Sequence, residues 1–222
     1  MYRNEEEVGK AIAARRSDVI LATKVLGSHL RYNQVLRAAD ESLRRLSVDC
    51  IDLYQIHWPN HSIPIAEKMR AMEELVDAGK VRYVGVSNFS TRELREAQCA
   101  MTKYPIVSNQ VLYNLNSRRI ERDLLPYCQE NRITVMAYTP LADGSLATPS
   151  RFLPDRRLKV LEAVAAQTNR TMAQVALNWC TSRPNVIAIP KSNSVARTEE
   201  NCTASGWRLS PAQVRTLDEA FA

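Results

Sequence analysis

The chain has 222 residues, 45% of them hydrophobic and 24% charged, with a formal net charge of +6. That balance excludes a disordered chain and sets a length of one large or two small packed domains. No run of about 18 apolar residues occurs, so no transmembrane helix is expected, and the opening MYRNEEEVGK lacks the basic-then-apolar build of a secretory leader.

In chain order, Asn4–Arg15 reads as a helix, and Val19–Thr23 (VILAT) as the first strand. A helix with Leu36, Ala39, Leu43 and Leu46 on one face precedes the strand Cys50–Ile56. Val81–Val86 and Ile106–Val111 are the next strands, with a capped helix start at Ser90 and Glu93 between them. Ile120, Leu124, Leu125 and Cys128 predict one helix ahead of the strand Ile133–Tyr138. The proline-rich stretch Thr139–Pro154 is the expected irregular loop. Met172, Val175, Ala176, Trp179 and Cys180 mark a helix capped by Thr171 and Gln174, Val186–Ile189 is the last strand, and Ser210–Gln213 with Pro211 opens the final helix.

Most of these strands are near-continuous apolar runs, as in sheets covered on both faces. Their alternation with helices implies parallel βα units, either an open doubly wound sheet or a (β/α)8 barrel. With only 6 glycines, and no two closer than about six positions, both the G-x-G-x-x-G turn and the P-loop are absent. This counts against the doubly wound sheet. Six strands fall short of the eight of a closed barrel. The expectation is therefore an incomplete barrel forming one domain over residues 1–222, with open edges at the Val19 and Val186 strands.

The 5 cysteines are scattered without a C-x-x-C pair and read as free thiols of a cytoplasmic protein. His57 and His61 are separated by Pro59, so no metal site is expected. Lys and Arg are dispersed, which favours a small phosphorylated partner over nucleic acid.

Barrel enzymes carry their chemistry where strands end. Here those positions hold Lys24, His57 with Trp58, Ser87 with Asn88, Gln110 leading to Asn114, Tyr138, and Lys191 with Ser192. Any one of them could be a cap, a turn former or a core residue; together on one rim they suggest a site.

On ESLRRLSVDCIDLYQIHWP (41–59), VDAGKVRYVGVSNFS (76–90) and IPKSNSVARTEEN (189–201), the chain resembles the aldo-keto reductases, (β/α)8 barrels that bind NADPH without a Rossmann turn. The opening MYRNEEEVG is similar to the family's stretch after its second strand, so the resemblance places the first two strands and the aspartate of the Tyr–Lys–His–Asp tetrad upstream of Met1. It implies that Tyr2 is the proton donor, Lys24 its ammonium neighbour and His57 the group orienting the carbonyl, with Trp58 lining the substrate pocket. For the cofactor it implies Ser87, Asn88 and Gln110 on the carboxamide, Tyr138 stacked on the nicotinamide, and Thr139 and Leu141 by the pyrophosphate. Lys191, Ser192 and Arg197 would clamp the 2′-phosphate, with Glu200 and Asn201 at the adenine.

The expected function is NADPH-dependent reduction of an aldehyde or ketone. The alternative is an NADPH-binding but catalytically impaired or regulatory barrel. A Schiff-base aldolase using Lys24 or Lys191 is disfavoured by the company of Tyr2, His57 and Tyr138. Oligomeric state and the identity of the carbonyl substrate are not legible.

Overall fold

The computed structural model describes residues 4–148 and 155–222, which form two compact units, one ending at Asn109 and the other beginning at Gln110. The strands are β1 (Ala22–Val25), β2 (Ile51–Ile56), β3 (Val81–Ser87), β4 (Ile106–Leu112), β5 (Thr134–Tyr138) and β6 (Val186–Ala188), hydrogen-bonded in chain order.

In the first unit β1, β2 and β3 are parallel, with Lys24 opposite Gln55 and Gln55 opposite Gly85. The helices α1 (Glu5–Ile12), α2 (Tyr32–Leu46), α3 (Ile65–Asp77) and α4 (Thr91–Ala100) alternate with the strands. Every residue of β2 is buried, as its apolar run requires. Gly85 makes room for the amide of Gln55, because a Cβ there would collide with the Ser108 hydroxyl and Gln55 itself. Gly9 does the same between helices, since a Cβ would strike the backbone of Leu46 and push α1 off α2.

In the second unit β5 and β6 are parallel, with Ala137 opposite Ala188. The helices are α5 (Leu124–Glu130), α6 (Arg156–Thr168), α7 (Met172–Thr181), α8 (Val195–Cys202) and α9 (Pro211–Ala220). Trp179 of α7 is fully buried and stacks on Tyr113, with ring centroids 5.2 Å apart. Its indole N–H donates to Asp218 Oδ1 of α9 at 2.9 Å. Arg183 donates to both oxygens of Asp218, at 2.6 and 2.8 Å, and Arg118 bonds the Asp218 backbone carbonyl at 2.8 Å. The buried indole thus joins apolar packing to a satisfied polar network, which anchors α9 to α7.

The three expected capping boxes, at Ser90, Thr171 and Ser210, are present. Three local expectations are corrected. The first strand begins at Ala22 and runs to Val25, rather than spanning Val19–Thr23. Side chains occupy the backbone of the earlier residues: Arg16 donates to the Val19 carbonyl at 3.2 Å, and Asp52 accepts from Leu21 N at 2.9 Å. In consequence Lys24 lies inside β1 rather than just after it.

The helix expected over Ile120–Cys128 is broken into a 3-10 turn, Arg119–Arg122, and α5, with the break at Asp123 (φ −144°). Pro126 lacks an N–H and its ring would clash with the carbonyl four residues back, so it is tolerated only in the first turn of a new helix. The buried stripe of α2 is Val35, Ala39, Ser42 and Leu46, leaving Leu36 and Leu43 half-buried at its flank.

Candidate functional site

In the first unit, neighbouring strand ends bring Lys24, His57, Trp58, Ser87 and Asn88 together. His57 N donates to Val25 O at 3.0 Å, which seats the imidazole one position past β2 and beside the end of β1. Asn88 takes a left-handed backbone (φ 61°), and its amide donates to His57 O at 3.1 Å and to Ser87 Oγ at 3.0 Å. Non-glycine residues enter that region at a cost, least so for Asn, and such positions concentrate at functional sites. Ser87 is buried, whereas Trp58 is half-exposed, with its ring centroid 6.3 Å from that of His57.

Burial lowers the pKa of the Lys24 ammonium. Burial, and then the positive charge of Lys24, lower that of His57. Both effects penalise the charged form, so His57 is a neutral imidazole at pH 7. Its Nδ1 is buried and makes no hydrogen bond among the described residues. Lys24 has no carboxylate partner among them either. Tyr2 lies outside the described residues.

Two further residues hold this group in place. Asn60 Nδ2 donates to Gly27 O at 2.8 Å, tying the loop after β2 to the loop after β1. Lys68, buried on α3, donates to Asn60 O at 2.8 Å. Neither was singled out in the sequence. The available signal was the Trp–Pro–Asn turn directly after His57, where Asn commonly bonds nearby backbone.

In the second unit, Gln110 is buried in β4 and Tyr138 ends β5 half-buried, with its hydroxyl pKa raised by burial. Thr139 is left-handed (φ 50°), an outlier for a β-branched residue. Its carbonyl accepts from Asn114 Nδ2 at 2.9 Å and from Ala142 N at 3.0 Å, bonds that hold the strain. Leu141 O accepts from Gly144 N at 2.9 Å, closing a tight turn at that point. The remainder of the expected loop, 149–154, lies outside the described residues.

Ile189 N donates to Ala137 O at 3.0 Å, so the segment carrying Lys191 and Ser192 leaves the sheet beside Tyr138. Ser192 Oγ accepts from Ser194 N at 3.0 Å, and Ser194 in turn caps α8 by accepting from Arg197 N at 3.4 Å. Lys191 and Arg197 are exposed and make no ion pair among the described residues; Glu200 and Asn201 are half-buried on α8. Two unpaired cations by a capped helix start are a donor set suited to a phosphate monoester.

A cavity of about 740 Å³ lies between β6, α7 and α8, but of the candidate residues only Asn201 lines it. No group of three His, Cys, Asp or Glu residues able to hold a metal occurs among the described residues, nor any helix long and apolar enough to cross a membrane.

A sequence model of the Aldo/keto reductase family matches residues 1–222. Methylglyoxal reductase YeaE of Escherichia coli K12 is 38% identical over 219 residues, which is 98% of this chain and 75% of that protein. The thermostable aldo-keto reductase Tm1743, solved with the inhibitor epalrestat, matches at a TM-score of 0.90 and 42% identity over 97% of this chain and 77% of its own. An aldo/keto reductase from Klebsiella pneumoniae, solved with NADP and acetate, matches at a TM-score of 0.87 and 38% identity over 98% of this chain and 75% of its own. With these likenesses the chain-ordered sheet is an incomplete (β/α)8 barrel of six strands.

Proposed function

This chain belongs to the aldo/keto reductase family, and we propose that it binds NADPH and reduces a small aldehyde or ketone to the alcohol. The observation that carries the reading is the half-buried Lys24 on β1 with His57 seated beside the end of that strand, through His57 N to Val25 O at 3.0 Å, and held neutral by burial and by the Lys24 charge. The NADP-bound Klebsiella structure and the methylglyoxal reductase support the cofactor and the substrate class.

The cofactor fits the donor set of the second unit, where Lys191 and Arg197 hold the 2′-phosphate, Ser192 adds a hydroxyl, and Glu200 and Asn201 take the adenine. Thr139 and Leu141, in a turn whose strain Asn114 maintains, would lie by the pyrophosphate. In the second unit Tyr138 would offer a ring face to the nicotinamide and Gln110 a bond to its carboxamide, the role the family resemblance also gives Ser87 and Asn88 of the first unit. When bound, the reduced nicotinamide supplies the hydride.

The protein's own residues manage the oxygen and the proton. Because His57 is neutral, it donates one N–H to the substrate carbonyl without giving up a full proton, and this orients the carbon for attack. Tyr2 is assigned the proton donor that quenches the developing alkoxide. A phenol titrates near about 10 when unperturbed, and the Lys24 ammonium favours its deprotonation by stabilising the phenolate. Trp58 offers an apolar wall to the rest of the substrate.

A second reading is favoured by one observation: burial disfavours the charged form of Lys24, and an uncharged amine would not stabilise a phenolate. In that reading the chain binds NADPH without turning over. Titrating the 222-residue chain with NADPH and NADH by nicotinamide fluorescence, then following NADPH consumption with methylglyoxal, separates the two. Binding with turnover supports the reductase, and binding without turnover supports the second reading. An absence of NADPH binding rejects both.

A further inference from the structure

α7 and α8 are held by different forces. All residues from Met172 to Cys180 in α7 are buried, whereas α8 buries none and exposes 75% of Val195. A helix without a buried apolar face gains little from the hydrophobic effect and must be positioned by something else.

Two amides on α7 meet that need. Asn178 is fully buried, and its Nδ2 donates to Ala204 O at 3.0 Å and to Trp207 O at 2.9 Å, while its Oδ1 accepts from Leu209 N at 3.0 Å. Gln174, also buried, donates from Nε2 to Thr203 Oγ1 at 2.6 Å and reaches Glu200 O at 3.4 Å. Its Oε1 accepts from Thr171 N at 3.0 Å, which fixes the side chain at the start of α7. Thr203 passes the connection on, donating to Glu200 O at 2.8 Å. The whole amide of Asn178 and the Nε2 end of Gln174 are thus directed at the C-terminal end of α8 and the loop that follows it.

We infer that Gln174 and Asn178 are positioning residues for the nucleotide: through Thr203 and the 204–209 loop they fix α8 where Arg197 meets the 2′-phosphate, and so help set the preference for NADPH over NADH. The consequence for the nucleotide rests on the proposed function; the tether itself does not. Arg197, Glu200 and Asn201 all ride on this helix, so a small tilt moves one cation and two adenine contacts together. A phosphate clamp is sensitive to such displacement because its hydrogen bonds are directional and charge-assisted.

The test uses the full chain and the exposed Thr203, where substitution removes no buried apolar group. Thr203→Val keeps the shape and removes the hydroxyl link; Thr203→Ser keeps the link. Without ligand, amide exchange in residues 198–203 is expected to accelerate roughly tenfold in Thr203→Val, with α7 unchanged and Thr203→Ser like the parent. With ligand, Thr203→Val is expected to weaken both nucleotides through the adenine contacts, and NADPH about five- to tenfold more than NADH. Unchanged exchange in α8 overturns the tether. Faster exchange with equal losses for both nucleotides overturns its link to cofactor choice. A parent chain that does not prefer NADPH defeats the proposed function instead, and the exchange measurement still decides the tether.

Discussion

The strand ends that carry Lys24 and His57 and the helix that carries Arg197 solve opposite physical problems. The first group sits in buried backbone, with its loops clamped by Asn60 and its charges disfavoured by desolvation. The second is exposed, lies on a helix with no buried residue, and leaves its cations unpaired among the described residues. Proton chemistry gains from a dry and rigid setting, where electrostatic effects are strong. Capturing a dianionic phosphate from water gains from exposed cations that need not be desolvated beforehand. On the proposed function the two regions differ because reactivity and recognition place different demands on the dielectric.

The largest break in that contrast comes from Lys24→Met. It is expected to reduce NADPH-dependent carbonyl turnover about 100- to 1,000-fold, the scale of removing one preorganised electrostatic group, while NADPH affinity changes less than about threefold. Stopped-flow absorbance and nicotinamide fluorescence measure the two separately. Next is the double substitution Lys191→Ala with Arg197→Ala, which is expected to weaken NADPH about 30-fold and NADH only slightly, since each exposed charge pair contributes about 1 kcal/mol. Titration at low and high salt sharpens the point: the parent's preference for NADPH narrows as salt screens the exposed cations.

A smaller effect is expected of Asn60→Ala, which unties the loops after β1 and β2. Loss of its hydrogen bonds should cost about 1–2 kcal/mol and lower Tm by roughly 2–6 °C, seen by calorimetry, with the half-exposed Trp58 becoming easier to quench.

The smallest effect is the titration of His57. Its folded pKa lies below the ordinary 6.5, through burial and then Lys24. As pH falls past that value the unfolded chain takes up the proton first. The stability tied to neutral His57 is therefore complete above about pH 6.5 and declines below it. Imidazole NMR should place the midpoint under 6.5, and Lys24→Met should move it upward. A midpoint that stays put in Lys24→Met would separate the two side chains.

Legibility followed the range of the interaction. The capping boxes at Ser90, Thr171 and Ser210 were readable because donor and acceptor lie three residues apart. The start of β1 was not, because Arg16 and Asp52 occupy its backbone and Asp52 is 31 positions from Leu21. The break at Asp123 was readable in principle from Pro126, but the apolar spacing of Ile120 and Leu124 concealed it. Among the candidate site residues, His57, Ser87 and Asn88 do lie where the apolar runs of β2 and β3 stop, the mark by which they were singled out, whereas Lys24 lies inside β1, whose bounds were misread. Asn60, Lys68 and Asn178 were missed as supporting residues because their partners are backbone atoms, which carry no mark in the sequence, and Gln174 was read only as the cap of α7 because Thr203 is 29 positions away.

The sequence by itself determined the alternation of strands and helices, the absence of a glycine-rich phosphate turn, and the residue types at the strand ends. Each of these depends on local pattern or composition. Only the tertiary structure decided that Lys24 shares a desolvated corner with His57, that Thr139 is held in a strained turn by Asn114, and that α8 depends on two amides of α7. Those facts depend on which distant backbone groups become neighbours, and neighbourhood is fixed only when the strands are in register and the helices are docked.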